Sequence, residues 1–345
     1  MIPTHMSAVH LVGNGGFEQL CWRDDVVTPS PGPDDVLIRV AAAGVNNTDL
    51  NTRVGWYGKP DSDRDDAIGW SGDVPEFPRI QGADACGHIV AVGAYVSPER
   101  VGERVIVEPV FRSSTGTVRY FGSEVEGAFA QYTTAPACHT WRVESALTDI
   151  ELASFPCSYS AAENMMSRAA VTTGERILIT GASGGVGSAA IQLATRRGAH
   201  VVAMARADTH AEMLAVGAVE TIDRAEDIVG RCGRNAFDVV IDVVGGDAWP
   251  QLLEVLRPFG RYAAAGAIGG AMVPLDLRTL YLKDLRLLGC TVLDPHVFSD
   301  LVRYLSRGEL RPLVAAVYPL QEIVAAQQAF AAKRHVGKIV LTVPH

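Results

Sequence analysis

The fold is decided by one stretch, Arg176-Ile177-Leu178-Ile179-Thr180-Gly181-Ala182-Ser183-Gly184-Gly185-Val186-Gly187. Its apolar run, residues 177–179, is typical of a buried strand, and residues 188–195 after the glycines are typical of a helix. A strand, a glycine turn and a helix in this order suit a dinucleotide pyrophosphate, because the phosphates need bare backbone N–H groups at a helix N-terminus. The stretch therefore predicts a phosphate-binding turn. A tight turn without a ligand is the alternative interpretation.

The bulk composition limits the classes of partner. The chain has 345 residues and a net charge of −9, and this length is typical of about two domains. It has no long run of Lys or Arg, so nucleic-acid binding is not expected. No apolar stretch reaches the ~18 residues that a membrane span requires, so no membrane partner is expected either.

The N-terminus and the cysteines indicate the compartment. Residues 1–6 lack the basic and apolar regions of a secretory signal, and translation from Met6 is an alternative start. The six cysteines are far apart in sequence, so neither a CxxC redox pair nor a compact zinc knuckle is expected. We therefore predict a cytoplasmic protein without disulfides.

Two kinds of segment alternate along the chain. Residues 1–145 contain short β-branched runs bounded by Gly, Pro and Asp, which predicts a small barrel or sandwich. In residues 146–313, apolar strands alternate with helical patterns, which predicts a parallel sheet with helices on both faces. Residues 314–345 contain a helix and a strand, and we expect that strand to rejoin the first domain. The predicted fold class is α/β, a doubly wound parallel (Rossmann) sheet plus a β-rich domain.

The glycine turn predicts where a dinucleotide binds. In the GxGxxG spacing, the three glycine positions hold Ala182, Gly184 and Gly187, so the first position departs from the pattern. The middle glycine lets the phosphates come close, and the third lets the helix pack on the strand. We predict cofactor contacts from the consecutive residues Ala182, Ser183, Gly184, Gly185, Val186 and Gly187.

The end of the second strand predicts which dinucleotide it is. An acidic residue there favours NAD, whereas an Arg accepts the 2′-phosphate of NADP. Arg206 comes first after the apolar run, and Asp208 is expected to cap the helix that begins near His210. The cofactor predicted is NADP(H), with a solvated surface charge as the alternative for Arg206.

Further motifs carry a family resemblance, and they occur in this order: Gly44-Val45-Asn46-Asn47-Thr48-Asp49-Leu50, Gln81-Gly82-Ala83-Asp84-Ala85-Cys86-Gly87, Gly102-Glu103-Arg104-Val105, Gly127-Ala128-Phe129-Ala130-Gln131-Tyr132, Leu282-Lys283-Asp284-Leu285 and Gly337-Lys338-Ile339-Val340-Leu341. With the glycine turn in mid-chain, the sequence resembles the medium-chain dehydrogenase/reductase superfamily. Within it, the zinc-free quinone oxidoreductase and enoyl reductase branch is the most similar. The resemblance covers nearly the whole chain. It implies a GroES-like catalytic barrel domain (1–145 and 314–345) and a Rossmann dinucleotide-binding domain (146–313).

The resemblance also bears on a metal. The zinc alcohol dehydrogenases of this superfamily have Cys in the slot of Asn46 and a His-Glu pair in the slots of Ala83 and Asp84. Their third ligand position matches Cys157. A catalytic zinc needs about three protein ligands, so we predict no metal. An alcohol dehydrogenase that uses a residual metal site is one alternative.

Two side chains are candidates for catalysis. Asn46 is a candidate N–H donor to a carbonyl oxygen or to the nicotinamide, with a turn residue as the alternative. Similar enoyl reductases carry a Tyr at the position of Tyr57, where a phenol stabilises or protonates a developing enolate. The alternative for Tyr57 is an apolar lid residue. Segment 55–78 predicts a long surface loop, in which Trp56 and Trp70 are candidates to line an apolar pocket.

Other predicted cofactor contacts follow strands or family positions. The carboxyl edge of a parallel sheet binds the ligand, and two segments follow strands that end at this edge. Ser160 matches a family Thr near the nicotinamide, and Lys338 is a candidate phosphate contact, with a surface lysine as the alternative. The predicted contacts are Ser160, Val243, Gly245, Gly266, Ala267, Ile268 and Lys338.

Together these features predict an NADPH-dependent, zinc-independent reductase. It would transfer hydride to a quinone or to an activated C=C bond of a small apolar enone or enoyl substrate. A non-catalytic NADPH-binding protein similar to lens crystallins is a further alternative. The apolar segment 285–292 is expected to be the last strand of the sheet, and pairing of two such unpaired edges motivates a homodimer.

Overall fold

The computed structural model describes residues 1–58, 76–113 and 115–345, so Trp70 and most of segment 55–78 lie outside the described residues. Within these ranges the strands are β1 His5–Leu11, β2 Leu20–Val27, β3 Asp35–Gly44, β4 Arg79–Ile80, β5 Asp84–Val92, β6 Arg104–Val107, β7 Val110–Arg112, β8 Val118–Tyr120, β9 Tyr132–Pro136, β10 Thr140–Arg142, β11 Arg176–Ile179, β12 His200–Ala205, β13 Glu220–Asp223, β14 Phe237–Asp242, β15 Leu256–Ala264, β16 Arg286–Gly289, β17 Val314–Pro319 and β18 Lys338–Thr342. The helices are α1 Asn47–Arg53, α2 Asp149–Ala153, α3 Pro156–Arg168, α4 Gly185–Arg196, α5 His210–Ala215, α6 Ile228–Cys232, α7 Trp249–Glu254, α8 Leu277–Leu282, α9 Val297–Ser306 and α10 Ile323–Ala331.

The chain forms two compact units. The first comprises Met1–Cys157, Leu305–Arg307 and Pro312–His345, and the second comprises Ser158–Tyr304 and Gly308–Arg311. The first unit extends past the predicted boundary at residue 145, because α2 packs against β3 and β5. No helix in the described ranges has the length and apolar character that crossing a bilayer requires.

The first unit is built on a mainly antiparallel sheet. Its strands follow the order β10-β6-β5-β3-β18-β17, and β9 also pairs with β3. The apolar run of β3 is almost fully buried, and Ile38, Ile89 and Phe129 form part of its core. The C-terminal strand β18 lies antiparallel to β3, with Val340 opposite Gly44. This pairing confirms that the last strand rejoins the first domain.

The second unit is built on a parallel sheet. Its described strands follow the order β13-β12-β11-β14-β15-β16, and every neighbouring pair is parallel. All residues of β14 are buried, as expected for a strand with both faces covered. The strand order reverses between β11 and β14, and ligands of open α/β sheets bind in the crevice at such a reversal. The doubly wound sheet is therefore confirmed.

One ion pair inside the second unit ties α4 to α3. Arg197 directly follows α4 and donates to both carboxylate oxygens of Glu163 on α3, at 2.9 and 2.5 Å. The Glu163 side chain is only 1% exposed. Its charge is therefore compensated by Arg197 rather than by solvent.

Arg197→Ala should destabilise the protein by about 3–5 kcal/mol, because it leaves a buried carboxylate without its partner. Arg23→Ala is the matched control, since Arg23 pairs with Asp25 and these side chains are 53% and 60% exposed. The control should change stability by less than about 1 kcal/mol. Urea unfolding followed by circular dichroism measures both, and equal losses in the two variants would contradict the assignment.

Candidate functional site

The glycine turn is held by contacts that only glycine permits. Gly181 has a φ of +56°, a conformation that side chains disfavour. A Cβ on Gly187 would lie 2.3 Å from the Gly181 carbonyl oxygen and 2.6 Å from the Ala182 Cα. Gly187 therefore allows α4 to start directly against the end of β11. A Cβ on Gly184 would meet only the Gly181 oxygen at 3.4 Å, so open space lies beside this residue.

The amide groups of the turn divide into two sets. Ala182 N donates to Met204 O at 3.2 Å, and Gly184 N donates to Gly181 O at 3.0 Å. These two N–H groups are used by the fold. Gly185, Val186 and Gly187 form the first turn of α4, where N–H groups have no acceptor within the helix. A helix start with bare glycines fits a dinucleotide phosphate.

Two further turns meet at the same edge of the sheet. The Val243–Gly246 turn follows β14, and residues 265–270 follow β15. Gly269 N donates to Val244 O at 2.7 Å, and Gly246 N donates to Gly270 O at 3.1 Å. A Cβ on Gly181 would lie 2.9 Å from a Val243 methyl group, so the glycine turn touches the first of these turns. The structure thus brings the predicted residues Val243, Gly245, Gly266, Ala267 and Ile268 to the carboxyl edge of the sheet.

Arg206 lies directly after β12, as the sequence predicts. Its Nε donates to Asp208 Oδ1 at 3.0 Å, and its side chain is 22% exposed. The expectation that Asp208 caps the next helix is wrong, because α5 starts at His210 with Thr209 as its N-cap residue. The Asp208 carboxylate instead orients the Arg206 guanidinium.

Ser160, another predicted cofactor contact, lies on α3 and is 1% exposed.

A buried polar cluster occupies the first unit near the start of α1. Asp84 Oδ2 accepts hydrogen bonds from Asn46 Nδ2 at 2.8 Å and from Lys338 Nζ at 2.7 Å. Asp84 Oδ1 accepts from Cys157 N at 2.6 Å. One carboxylate therefore ties together β5, α1, the start of α3 and β18.

Two predicted site residues have different roles in this cluster. Lys338 Nζ also donates to Val45 O at 3.0 Å and to Asn46 Oδ1 at 2.5 Å, and Lys338 is 3% exposed. This burial argues against the phosphate contact predicted for Lys338. The Asn46 amide nitrogen donates to Asp84 and, at 3.4 Å, to Gly44 O. Since both N–H bonds of the amide have acceptors in the protein, Asn46 positions its neighbours and is not placed as a donor to substrate.

Asp49 is the second carboxyl group beside this cluster. Its Oδ2 accepts from Asn46 N at 2.7 Å, and its Oδ1 has no hydrogen-bond partner among the described residues. Burial, as the largest effect, raises the pKa of Asp49 to about 7. Asp49 is therefore partly protonated at neutral pH.

Tyr57 follows α1 in the same unit. Its ring contacts Trp56 edge-on, with centroids 5.4 Å apart. Burial raises the pKa of the phenol, and the nearby side chains of Thr48 and Asn51 act in the opposite direction. The hydroxyl keeps its proton at neutral pH, as a hydrogen-bond or proton donor requires.

The residues of this region do not fit a zinc ion. Zinc ligands are Cys, His, Asp and Glu, whereas Asn46 offers an amide and Ala83 a methyl group. Asp84 already accepts hydrogen bonds from an ammonium, an amide and a backbone N–H. In the part of the chain that the structure describes, no three His, Cys, Asp or Glu side chains are grouped so that they could hold a metal.

The role of Asp84 is the main feature that the motifs did not predict. A signal was present, since Asp84 and Lys338 are opposite charges in otherwise apolar strands. Their pairing spans most of the chain, so the sequence alone does not bring them together. Asp242 was likewise missed, although it ends the apolar strand β14.

Substitutions at two glycines of the turn, Gly184 and Gly187, should separate an effect on folding from an effect on cofactor binding. Gly184→Ala should leave the melting temperature nearly unchanged but weaken nicotinamide nucleotide affinity by about tenfold, because the methyl group occupies the phosphate approach. Gly187→Ala should destabilise the fold by about 1–3 kcal/mol through the contact with Gly181. Thermal unfolding and titration of NADPH fluorescence measure the two effects. Full affinity in Gly184→Ala would show that phosphates do not approach there.

Comparison with known proteins agrees with this geometry. Residues 32–145 match the family model of the alcohol dehydrogenase GroES-like domain, and residues 185–307 match that of zinc-binding dehydrogenases. The solved structure of a proposed alcohol dehydrogenase from Sinorhizobium meliloti 1021 has a TM-score of 0.94 and is 45% identical, covering 99% of this chain and 98% of that one.

The names of two relatives state an activity. Human quinone oxidoreductase is 28% identical over an alignment of 336 positions, which covers 94% of this chain and 93% of the relative. Acryloyl-coenzyme A reductase of Metallosphaera sedula is 26% identical over 333 residues, with coverage of 92% and 95%. The chain therefore belongs to the medium-chain dehydrogenase/reductase superfamily of nicotinamide-dependent oxidoreductases, in its quinone oxidoreductase and enoyl reductase-like branch.

Proposed function

We propose that this protein is an NADPH-dependent reductase that works without zinc. Its substrate would be a small apolar molecule with an electron-poor acceptor, either a quinone or a C=C bond conjugated to a carbonyl group. The observation that carries the proposal is a dinucleotide turn in a chain whose expected zinc-ligand positions hold Asn46 and Ala83. Human quinone oxidoreductase and the acryloyl-coenzyme A reductase support this substrate class.

The preference for NADPH rests on Arg206. The guanidinium follows β12 at the carboxyl edge, where an Arg accepts a 2′-phosphate. Its Nε donates to Asp208 Oδ1 at 3.0 Å, which holds the guanidinium beside the end of β12. The other acid of this region, Asp223, accepts from Ala207 N at 2.7 Å and from Ala225 N at 2.8 Å, so it is engaged by the backbone.

The chemistry assigns a proton-donating role to Tyr57. The bound cofactor supplies the hydride, and an acceptor conjugated to oxygen then builds up negative charge on that oxygen. A phenol whose pKa is raised by burial stays protonated, so Tyr57 donates a hydrogen bond or a proton to this charge. Asn46, Asp84 and Lys338 hold the start of α1, which carries the chain toward Tyr57.

Purified protein should oxidise NADPH in the presence of at least one member of a panel of quinones, enones and enoyl thioesters. With the same acceptor, it should oxidise NADH more slowly. Tyr57→Phe should lower the rate by about tenfold or more while leaving NADPH affinity unchanged. Tyr95→Phe is the matched control, because Tyr95 is 80% exposed. Preference for NADH would contradict the role of Arg206. NADPH binding without turnover of any acceptor would instead indicate a non-catalytic binding protein.

The Sinorhizobium relative favours alcohol oxidation as a second candidate function. The same preparation separates the two, since an alcohol dehydrogenase with a metal site would retain about one zinc per chain and reduce NADP⁺ with simple alcohols. We expect neither result.

We also propose that the protein is a homodimer. β16 is the last strand of the sheet within the described residues, so its outer edge has no partner strand there. β16 and the segment that leads to it expose large apolar side chains, which mark an interaction surface. These are Met272, Leu275, Leu277, Tyr281, Leu282 and Leu287.

Leu287→Arg should convert the dimer to a monomer, because it places a charge on the unpaired edge. Val219→Glu is the control, since Val219 is 63% exposed just before β13 at the opposite edge. Light scattering coupled to gel filtration measures the molar mass. A monomeric parent protein, or a dimer that survives Leu287→Arg, would contradict this interface.

A further inference from the structure

Asp242 is a fully buried carboxylate at the end of β14. It is 0% exposed. Among the ion pairs of the described residues, none includes Asp242. A buried carboxylate without a cation is costly unless neutral donors satisfy its oxygens. Asp242 must therefore be stabilised by the hydrogen bonds around it.

Those hydrogen bonds come from side chains of neighbouring strands and from the turn that follows. Thr180 Oγ1, at the end of β11, donates to Oδ1 at 2.5 Å, and the Tyr262 hydroxyl of β15 donates to Oδ2. Val244 N donates to Oδ1 at 2.8 Å. Gly245 N lies 3.1 Å from Oδ1 and 3.2 Å from Oδ2. Asp242 thus joins both adjacent strands to the backbone of the Val243–Gly246 turn.

The turn depends on this anchor for its shape. Gly245 and Gly246 have φ angles of +66° and +71°, so two successive residues adopt the left-handed conformation that residues other than glycine disfavour. The Val243–Gly246 turn then carries the second turn, because Val244 and Gly246 exchange hydrogen bonds with Gly269 and Gly270. The Tyr262 ring is itself held by stacking on the Trp249 ring, with centroids 5.2 Å apart.

We propose that Asp242, together with Thr180 and Tyr262, is the positioning group of the nicotinamide-nucleotide site. It touches no ligand itself. It fixes the Val243–Gly246 turn, and through it residues 266–270, in the conformation that receives the cofactor at the carboxyl edge. The inference rests on the proposed cofactor binding and adds the residues that determine its affinity.

Asp242→Ala should weaken NADPH binding by about tenfold or more, because Val244 and Gly245 lose a shared acceptor. At saturating NADPH, kcat should change less than about threefold, since Asp242 does not touch the reacting atoms. Asp242→Asn should bind within about threefold of the parent, because its oxygen retains the Thr180 and turn contacts while its NH2 donates to the Tyr262 oxygen.

Asp238→Ala is the matched control. Asp238 lies on the same strand, is 8% exposed and accepts from Arg176 N at 2.7 Å, at the opposite end of β14. This variant should lose stability but keep its NADPH affinity. A merely structural role for Asp242 predicts equal affinity in both alanine variants, and that result would overturn the proposal.

If Asp242→Ala does not fold, Thr180→Val gives the same test with one donor removed. It should weaken NADPH binding measurably and cost less stability than Asp242→Ala, because the carboxylate keeps its Tyr262 and backbone donors. Unchanged affinity would count against the proposal. Failure of the parent protein to bind NADPH or NADH would overturn the proposed function itself. That outcome is distinct from normal binding by every variant, which overturns only the role of Asp242.

Discussion

The close approach of α4 to β11 is the constraint on which the second unit depends. The Gly187 Cα leaves no room for a side chain, because a Cβ there would lie 2.3 Å from the Gly181 oxygen. This contact points the start of α4 at the carboxyl edge of the sheet. The turns after β14 and β15 reach the same edge and are bonded to one another through their backbones. The edge is therefore formed mostly by backbone, which suits a ligand rich in phosphate oxygens.

The first unit has a corresponding anchor in Asp84. Its carboxylate receives bonds from elements that are remote in sequence, among them β18 at the end of the chain. Charged residues are rarely buried without a partner, and here each charge is the reason the other is tolerated. At the positions where the resemblance implies zinc ligands, this chain has the Asn46 amide and the Asp84 carboxylate, which pairs with Lys338. The cluster positions α1 and the segment with Tyr57.

Much of the fold could be predicted from sequence because its signals are local. The run of residues 177–187 contains the strand, the turn and the helix start. In residues 146–313, the alternation of apolar strands with helical patterns indicates the parallel sheet. The roles of Asn46 and Lys338 could not be predicted in this way. They depend on Asp84, and its pairing with Lys338 arises only when β18 folds back beside β3. Asp208 shows the same limit on a smaller scale. From the sequence its carboxylate is close enough either to cap the next helix or to pair with Arg206, and the structure shows the pair with Arg206.

The raised pKa of Asp49 gives the Asp84 cluster a charge balance that varies with acidity. While Asp49 keeps its proton, one ammonium faces one carboxylate and the buried group is electrically neutral. An unfolded chain releases this proton near pH 4, whereas the folded chain holds it until about pH 7. Over that interval a rising pH favours the unfolded chain, because only there is the carboxylate hydrated. In alkaline solution the Asp84 cluster and Asp49 together therefore carry one uncompensated negative charge, which lowers the stability of the folded chain.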